Sequence, residues 1–302
     1  MFYLNAIIPL SNNSGTTMAS YLGKNLIHQM DTLTVQPNCL AMWGLGQMGL
    51  AMKSSDGRIL YIDPVLTDVV AVKIPSAADR FTRAFPAPLK PEEITNASYV
   101  LCSHEHLDHT DPFTLAPLAK ASPQAIFITS GWVKELLDEA GIALERRIVP
   151  QYGKPLNLDG IKISVIPAAH DEIEFEPTRG FRFLSFQIDW GGVRLFHSGD
   201  TRITAEFLTH LHTLASADVA LVAANGRDEY RKSLDVLGNL HPVEVVWLAK
   251  EMGWDVVIGG HNDLFEWNTI AAGSLADAVH KYNPRQKYHC QLQPGELFYY
   301  VK

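Results

Sequence analysis

Residues 99–111 read YVLCSHEHLDHTD and place three histidines directly after an apolar run. Tyr99–Cys102 has the composition of a buried strand, so the polar residues after it lie in a loop held by a rigid sheet. In extended backbone, residues two apart point to the same side, so His104 and His106 can face one metal ion. A turn at Leu107 can then bring Asp108 and His109 toward a second ion. Imidazole and carboxylate groups suit zinc, manganese or iron. The candidate ligands here are His104, His106, Asp108 and His109.

Three later segments repeat the arrangement of an apolar strand, small residues and a candidate ligand. Two metal ions need more ligands than one loop supplies, because together they take about eight to ten positions counting water. Small residues let the backbone turn close to the ions. The strands before these segments are Ile163–Pro167, Val193–Phe196 and Asp255–Ile258, and the candidate ligands after them are His170, Asp200 and His261.

The order of predicted elements indicates the fold class. Strands come first, strand–helix alternation follows, and the same succession then repeats. Two such halves, each a sheet covered by helices, predict an α/β (α+β) protein built as a four-layer αββα sandwich. Residues 1–37 are expected to form an N-terminal extension packed on the main domain, residues 38–302, and residues 64–91 a loop or partial helix. The predicted helices are one from Pro112, Trp132–Ala140, Ala205–Leu214, Pro242–Met252 and Thr269–Tyr282.

Composition limits the function classes. The chain has 302 residues, of which 47% are hydrophobic and 19% charged, as in an ordinary globular protein. Its net charge of −8 disfavours nonspecific binding to nucleic acid or an anionic membrane. The three widely spaced cysteines, Cys39, Cys102 and Cys290, form no disulfide framework, which favours a reduced, cytoplasmic location. We therefore expect a small-molecule substrate and neither nucleic-acid nor membrane partners, and homo-oligomerisation stays open.

Residues near the predicted strand Val219–Ala223 are candidates for substrate binding. Arginines there could hold an anionic substrate such as a sugar phosphate. The alternative is a solvated loop in which Asp228 and Glu229 neutralise the arginine beside them. The four candidates are Asn225, Arg227, Arg231 and His241, and the last could instead cap the helix that follows it.

Three further polar residues lie close in sequence to the candidate ligands or to a predicted strand end, where they could support the ligands. Glu105 points away from the ligands in an extended chain, so solvent or a supporting contact is its expected place. His197 is expected to pack or to orient a ligand. Asp63, which follows the strand Ile59–Ile62, could steady the metal-binding loop or act as a turn residue.

The order HxHxDH, a downstream histidine, SGDT and a glycine-led histidine resembles the metallo-β-lactamase-fold hydrolases. Within them the chain looks most like the bacterial L-ascorbate-6-phosphate lactonase family, with flanking similarity at Ala41–Gly46 and Val256–Asp263, although Asn262 stands where those lactonases carry a second histidine. The resemblance implies that His104, His106 and His170 hold one ion. It also implies that Asp108, His109 and His261 hold the other, with Asp200 bridging.

The expected function is a metal-dependent hydrolase that uses a metal-bridged hydroxide on a small ester or lactone, a sugar-phosphate lactone being one candidate. Asp108 is the expected catalytic residue, which orients the hydroxide and receives its proton. The expected cofactors are two divalent ions, zinc or manganese, with iron left open. The alternatives are a phosphodiesterase of the same fold and a non-hydrolytic metal-binding protein.

Overall fold

Two seven-stranded sheets form the centre of a computed structural model that describes residues 21–271 and 273–302. The strands in chain order are β1 (Cys39–Gly46), β2 (Gly49–Lys53), β3 (Ile59–Ile62), β4 (Ala97–Cys102), β5 (Ile126–Thr129), β6 (Arg147–Ile148), β7 (Leu156–Leu158), β8 (Ile161–Pro167), β9 (Phe175–Glu176), β10 (Gly180–Phe181), β11 (Leu184–Trp190), β12 (Val193–His197), β13 (Val219–Ala223), β14 (Val256–Gly260), β15 (Lys287–His289) and β16 (Leu297–Val301).

The helices lie on the outer faces of the two sheets or, where they are short, among the connecting loops. In chain order they are α1 (Lys24–Thr32), α2 (Val69–Lys73), α3 (Ala78–Phe81), α4 (Pro112–Ala121), α5 (Lys134–Glu139), α6 (Ala205–Leu211), α7 (Glu229–Ser233), α8 (Pro242–Met252) and α9 (Ser274–Tyr282). Helix α4 begins at its proline as predicted, because the Asp111 side chain accepts hydrogen bonds from the backbone N–H groups of Phe113 and Thr114. Within the described ranges, no helix is both long and apolar enough to cross a bilayer.

Each sheet combines an antiparallel part with a parallel part. The first has the order β16-β1-β2-β3-β4-β5-β6, and the second β15-β14-β13-β12-β11-β8-β7. Strands β12, β13 and β14 run parallel. Strand β8 runs in the same direction as β12, because both are antiparallel to β11. The carboxyl ends of β8, β12 and β14 therefore share one edge of the second sheet.

Apolar clusters define the four layers. One cluster lies between the sheets and includes Met42 and Leu101 from the first sheet and Phe186 and Ile258 from the second. Two further clusters join the outer face of each sheet to its helices. This arrangement confirms the predicted αββα sandwich.

The predicted N-terminal extension contains helix α1 in its described part. Leu26, Ile27 and Met30 of α1 are buried in the cluster on the outer face of the first sheet. The Lys53 ammonium group donates hydrogen bonds to the carbonyls of Met30 and Asp31 near the end of α1. Residues 1–20 lie outside the described residues, and the boundary at residue 38 stays a prediction.

Several element boundaries differ from those predicted. Helix α9 begins at Ser274 rather than Thr269, because Glu266–Asn268 forms a 3-10 turn and the Thr269 hydroxyl donates to the Glu266 carbonyl. Helix α6 ends at Leu211, and residues 131–140 divide into a 3-10 turn and α5. Residues 64–91 include α2 and α3, and the short helix α7 lies in a segment for which no helix is predicted.

Candidate metal centre

Four loops bring the candidate ligands together at one edge of the sandwich. They follow strands β4, β8, β12 and β14. Gly199 and His261 both adopt positive φ angles of 55° and 62° in these loops, so the backbone turns sharply beside the side chains that converge. At Gly199 any Cβ would also overlap the Leu184 carbonyl region at 2.5 Å, which leaves room for glycine alone.

All seven candidate ligands occur in three overlapping groups whose ligand atoms lie within 4.8 Å of one another. These residues are called the seven-residue cluster below. The groups are His104, His106 and His170; His104, His109 and Asp200; and Asp108, His109 and His261. The division matches the two ligand sets that the resemblance implies. Asp200 lies between them, with its Oδ2 3.4 Å from His170 Nε2 of the first set and 3.1 Å from His261 Nε2 of the second.

Several atoms of the cluster are buried without a hydrogen-bond partner among the described residues. They include His104 Nε2, together with His109 Nε2 and Asp200 Oδ1, which lie 3.1 Å apart but are not aligned for a hydrogen bond. Buried polar atoms are nearly always paired, so three unpaired acceptor-type atoms in one place need an explanation. Imidazole nitrogens and carboxylate oxygens directed at a shared cation provide one, and the donor set therefore fits divalent metal ions.

A second set of contacts fixes the imidazole rings. Asp63 Oδ2 lies 2.8 Å from His109 Nδ1 and accepts a 2.7 Å hydrogen bond from the Ser103 hydroxyl. Its other oxygen accepts from the Ser103 backbone N–H at 2.7 Å. Ser103 Oγ also lies 2.9 Å from His104 Nδ1. Because the Nδ1 atoms of His104 and His109 have these partners, their Nε2 atoms face the cluster. Asp63 thus has the supporting position considered from the sequence.

The two sides of the cluster differ in electrostatics. Burial and the neighbouring histidines lower the pKa of His106 to about 4, and burial lowers that of His104 well below its usual value. Burial opposes the charged form of His261 too, but the carboxylates of Asp200 and Asp108 outweigh it and raise its pKa to about 9. His104 and His106 are thus neutral and can bind a cation, whereas His261, beside the carboxylates, is positively charged.

Two residues missed from the sequence contact the cluster. Gln47 Nε2 donates to Asp108 Oδ2 at 2.7 Å and lies 3.0 Å from His261 Nε2. The Phe183 ring forms an apolar wall, with its centroid 5.0, 5.5 and 5.1 Å from those of three histidines, His104, His106 and His170. The sequence around these residues gives no sign of a functional role. Gln47 lies in the turn between two strands, and Phe183 precedes a strand of ordinary apolar composition.

Glu105 and His197 lie outside the three groups, as expected. Glu105 Oε1 accepts a 2.5 Å hydrogen bond from Arg182, which in turn lies over the ring of Phe183 at 4.9 Å. His197 Nε2 lies 2.9 Å from the Met48 carbonyl, and its Nδ1 accepts from the Gly199 N–H. Both residues therefore brace the loops that carry the cluster.

The four substrate-binding candidates lie beyond the end of β13, in contacts within the chain. Arg227 makes two 2.6 Å hydrogen bonds to Glu244. The buried Arg231 donates to Asp228, to the Asn225 carbonyl and to Asn268. The Asn225 amide also donates to Asn268, and the His241 backbone N–H donates to Glu244. Their role toward a substrate stays a prediction.

Known proteins resemble this chain in sequence and in fold. Residues 58–262 match the beta-lactamase superfamily domain. A UPF0173 metal-dependent hydrolase of Sulfurisphaera tokodaii is 26% identical over 215 residues, 68% of this chain and 82% of that protein. A "Probable L-ascorbate-6-phosphate lactonase" of Salmonella paratyphi B is 22% identical over 278 residues, 83% of this chain and 76% of that protein.

A solved structure supports the fold independently. The metallo-β-lactamase fold protein YhfI of Bacillus subtilis has a TM-score of 0.59 and 16% sequence identity, with 87% of this chain and 100% of that chain covered. The domain match spans more than half of the sequence. The chain therefore belongs to the beta-lactamase superfamily and is a metal-dependent hydrolase of the metallo-β-lactamase fold.

Proposed function

We propose that this hydrolase opens a small ester or lactone, with a sugar-phosphate lactone as the leading candidate. The observation that carries the proposal is the seven-residue cluster with its buried, unpaired nitrogen and oxygen atoms. The name of the Salmonella relative supports a lactone, and that relative aligns with 83% of the chain. The net charge of −8 supports a small molecule rather than a nucleic acid.

The proposed ligand sets are His104, His106 and His170 for one ion and Asp108, His109 and His261 for the other, with Asp200 between them. Divalent ions at such a site lower the pKa of water and draw electron density from a substrate oxygen. Zinc and manganese are the proposed metals, because histidine and carboxylate ligands suit both. Neutral His104 and His106 bind without first losing a proton.

Asp108 is the proposed catalytic residue. Its side chain is 20% exposed, whereas that of His109 is fully buried, so Asp108 lies on the accessible side of the cluster. Burial alone would raise its pKa, but His109 and His261 hold the pKa well below its usual range. The carboxylate is therefore ionised, so it can accept a hydrogen bond from the attacking water and orient it. Uptake of the water's proton is its proposed second role.

An anionic group on the substrate is proposed to bind near the end of β13. Asn225, Arg227, Arg231 and His241 are the proposed contacts. Arg227 is the most accessible candidate cation among them, because its side chain is 32% exposed while that of Arg231 is 4% exposed. A phosphate would have to compete with Glu244 for the Arg227 guanidinium, so this contact requires the pair to open.

A metal analysis joined to a hydrolysis screen tests the proposal. Purified protein is assayed for bound metal and then offered simple lactones, sugar-phosphate lactones and phosphodiesters with added zinc or manganese. We expect turnover of a lactone that a chelator abolishes and metal restores. Activity confined to phosphodiesters would replace the lactonase proposal with a phosphodiesterase of the same fold.

A further inference from the structure

Gln47 connects two separate ligand loops of the metal centre. Its side-chain Nε2 lies 2.7 Å from Asp108 Oδ2 and 3.0 Å from His261 Nε2. An ionised carboxylate only accepts hydrogen bonds, so the amide nitrogen rather than its oxygen faces Asp108. The same residue therefore touches two of the three members of the Asp108, His109 and His261 group.

The backbone of Gln47 is fixed by the loop that carries His261. Its N–H donates to Asp263 Oδ1 at 2.8 Å, and its carbonyl accepts from the His261 N–H at 2.9 Å. Gln47 has a φ of 57° in the turn between β1 and β2, and the residue is 6% exposed. The hydrogen bonds of its N–H and carbonyl hold the backbone at this positive φ. Burial and the contacts of Nε2 then direct the amide at Asp108.

The neighbouring glycines allow this close approach. A Cβ at Gly260 would lie 2.6 Å from Met48 Sδ, so the turn after Gln47 packs directly on strand β14. A Cβ at Gly46 would lie 2.5 Å from the Phe85 ring. The first sheet thus reaches across to the ligand loop of the second sheet at this turn.

We propose that Gln47 is a positioning residue of the metal centre. Its amide holds the Asp108 carboxylate beside His261 and so sets the affinity of the Asp108, His109 and His261 group for its ion, without being a ligand itself. This inference rests on the proposed two-metal function. Groups that orient metal ligands typically contribute 10–100-fold to metal affinity.

Two variants separate positioning from direct ligation. Gln47→Met keeps the length of the side chain and removes the amide, and Gln47→Glu puts a carboxylate where the N–H donor stands. Gln187→Met is the matched control, because Gln187 is 5% exposed and lies within β11. Zinc binding to the metal-stripped full chain is measured by competition with a chromophoric chelator, and circular dichroism verifies that each metal-free variant is folded.

We expect wild type and Gln187→Met to bind two zinc ions alike. In Gln47→Met one of the two affinities should fall about 10–100-fold while the other is unchanged. Gln47→Glu should also bind that ion more weakly, because its carboxylate repels Asp108. If Gln47→Met does not fold, the zinc affinity of Gln47→Glu tests the proposal instead.

Three results would overturn the inference. They are wild-type affinity at both sites in Gln47→Met, an equal loss at both sites, and tighter zinc binding by Gln47→Glu, since the last marks position 47 as a ligand. A wild-type chain that takes up no zinc, manganese or iron refutes the proposed function itself, and this inference with it.

Discussion

Asp108 differs from most of the cluster in its exposure and in its partners. Its side chain is 20% exposed, while those of Asp200 and His261 are 4% and 3% exposed. It accepts from the Gln47 amide and lies 3.5 Å from His261 Nε2. A carboxylate at the accessible side of a metal centre can both hold a cation and orient water, which makes this residue the most direct test of catalysis.

Asp108→Asn should lower kcat by about two to four orders of magnitude, the usual contribution of a general acid–base group, and change KM less. The amide cannot take up a proton from water. Steady-state kinetics on the substrate found by the screen, at saturating metal, measure the effect. Asp159→Asn serves as the control, because that side chain is 90% exposed and precedes β8, whereas His170 follows the other end of that strand. Near wild-type turnover of Asp108→Asn would show that the catalytic assignment is wrong.

Asp63→Asn tests the support of His109. Asparagine tolerates the positive φ of 43° at this position, so the backbone can stay as it is. The charged acceptor for His109 Nδ1 is lost, and we expect metal affinity to fall about 10–100-fold. Chelator competition measures the change. Unaltered affinity would mean that the Ser103 hydroxyl alone suffices to orient the ring.

At the scale of elements, the turns between strands join the two sheets. Asp56, in the turn between β2 and β3, accepts hydrogen bonds from Trp190 Nε1 of β11 at 2.8 Å and from Arg58. Burial would raise the pKa of Asp56, but these hydrogen bonds outweigh it and lower the pKa. The native fold thus favours the ionised carboxylate.

The lowered pKa of Asp56 predicts a pH dependence of stability. A group whose pKa is lower in the folded state stabilises the protein fully above its unfolded pKa, about 3.9, and loses that contribution as pH falls through the folded value. Asp56→Asn should therefore be less stable than wild type near neutral pH, and the difference should shrink below about pH 4. Urea unfolding of both proteins across this range measures it. A constant difference at all pH values would exclude the ionised pair as its cause.

Element boundaries depended on contacts that a local pattern does not contain. The alternation of strands and helices predicted β4, β12, β13 and α8 closely, because each has a regular apolar pattern and clear end signals. The start of α9 was wrong, since a side-chain hydrogen bond at Thr269 stabilises a turn where the pattern continues a helix. Helix α7 was missed because its five residues, Glu229–Ser233, carry no apolar period.

At the scale of the whole molecule, the cluster joins loops from both sheets. His104, His106, Asp108 and His109 follow a strand of the first sheet, and His170, Asp200 and His261 follow strands of the second. Metal ions bound between them would connect the two halves of the sandwich. Because such a site exists only in the folded chain, metal binding must stabilise the fold.

Removing metal should therefore lower Tm, and returning it should restore Tm. At a free metal concentration of 100 Kd, one site adds about 2.7 kcal/mol to the free energy of unfolding. Thermal unfolding of the stripped protein with graded zinc or manganese measures this gain. A variant with His104→Ala and His261→Ala is the control, and it should show little dependence on metal. A metal-independent Tm in wild type would contradict a site shared by the two sheets.

The sequence by itself determined the sandwich and the seven candidate ligands. Each apolar strand before them is followed by small residues and a histidine or aspartate, and this pattern can be recognised from residues that are neighbours in the chain. Only the tertiary structure showed which other residues hydrogen-bond to those ligands and orient them. Gln47 meets Asp108 and His261 across 61 and 214 positions, and Asp63 meets His109 across 46. It also showed that Arg227 is paired with Glu244 and Arg231 is buried. Hydrogen bonds depend on distance in space, and only packing of the two sheets brings such distant residues within 3 Å.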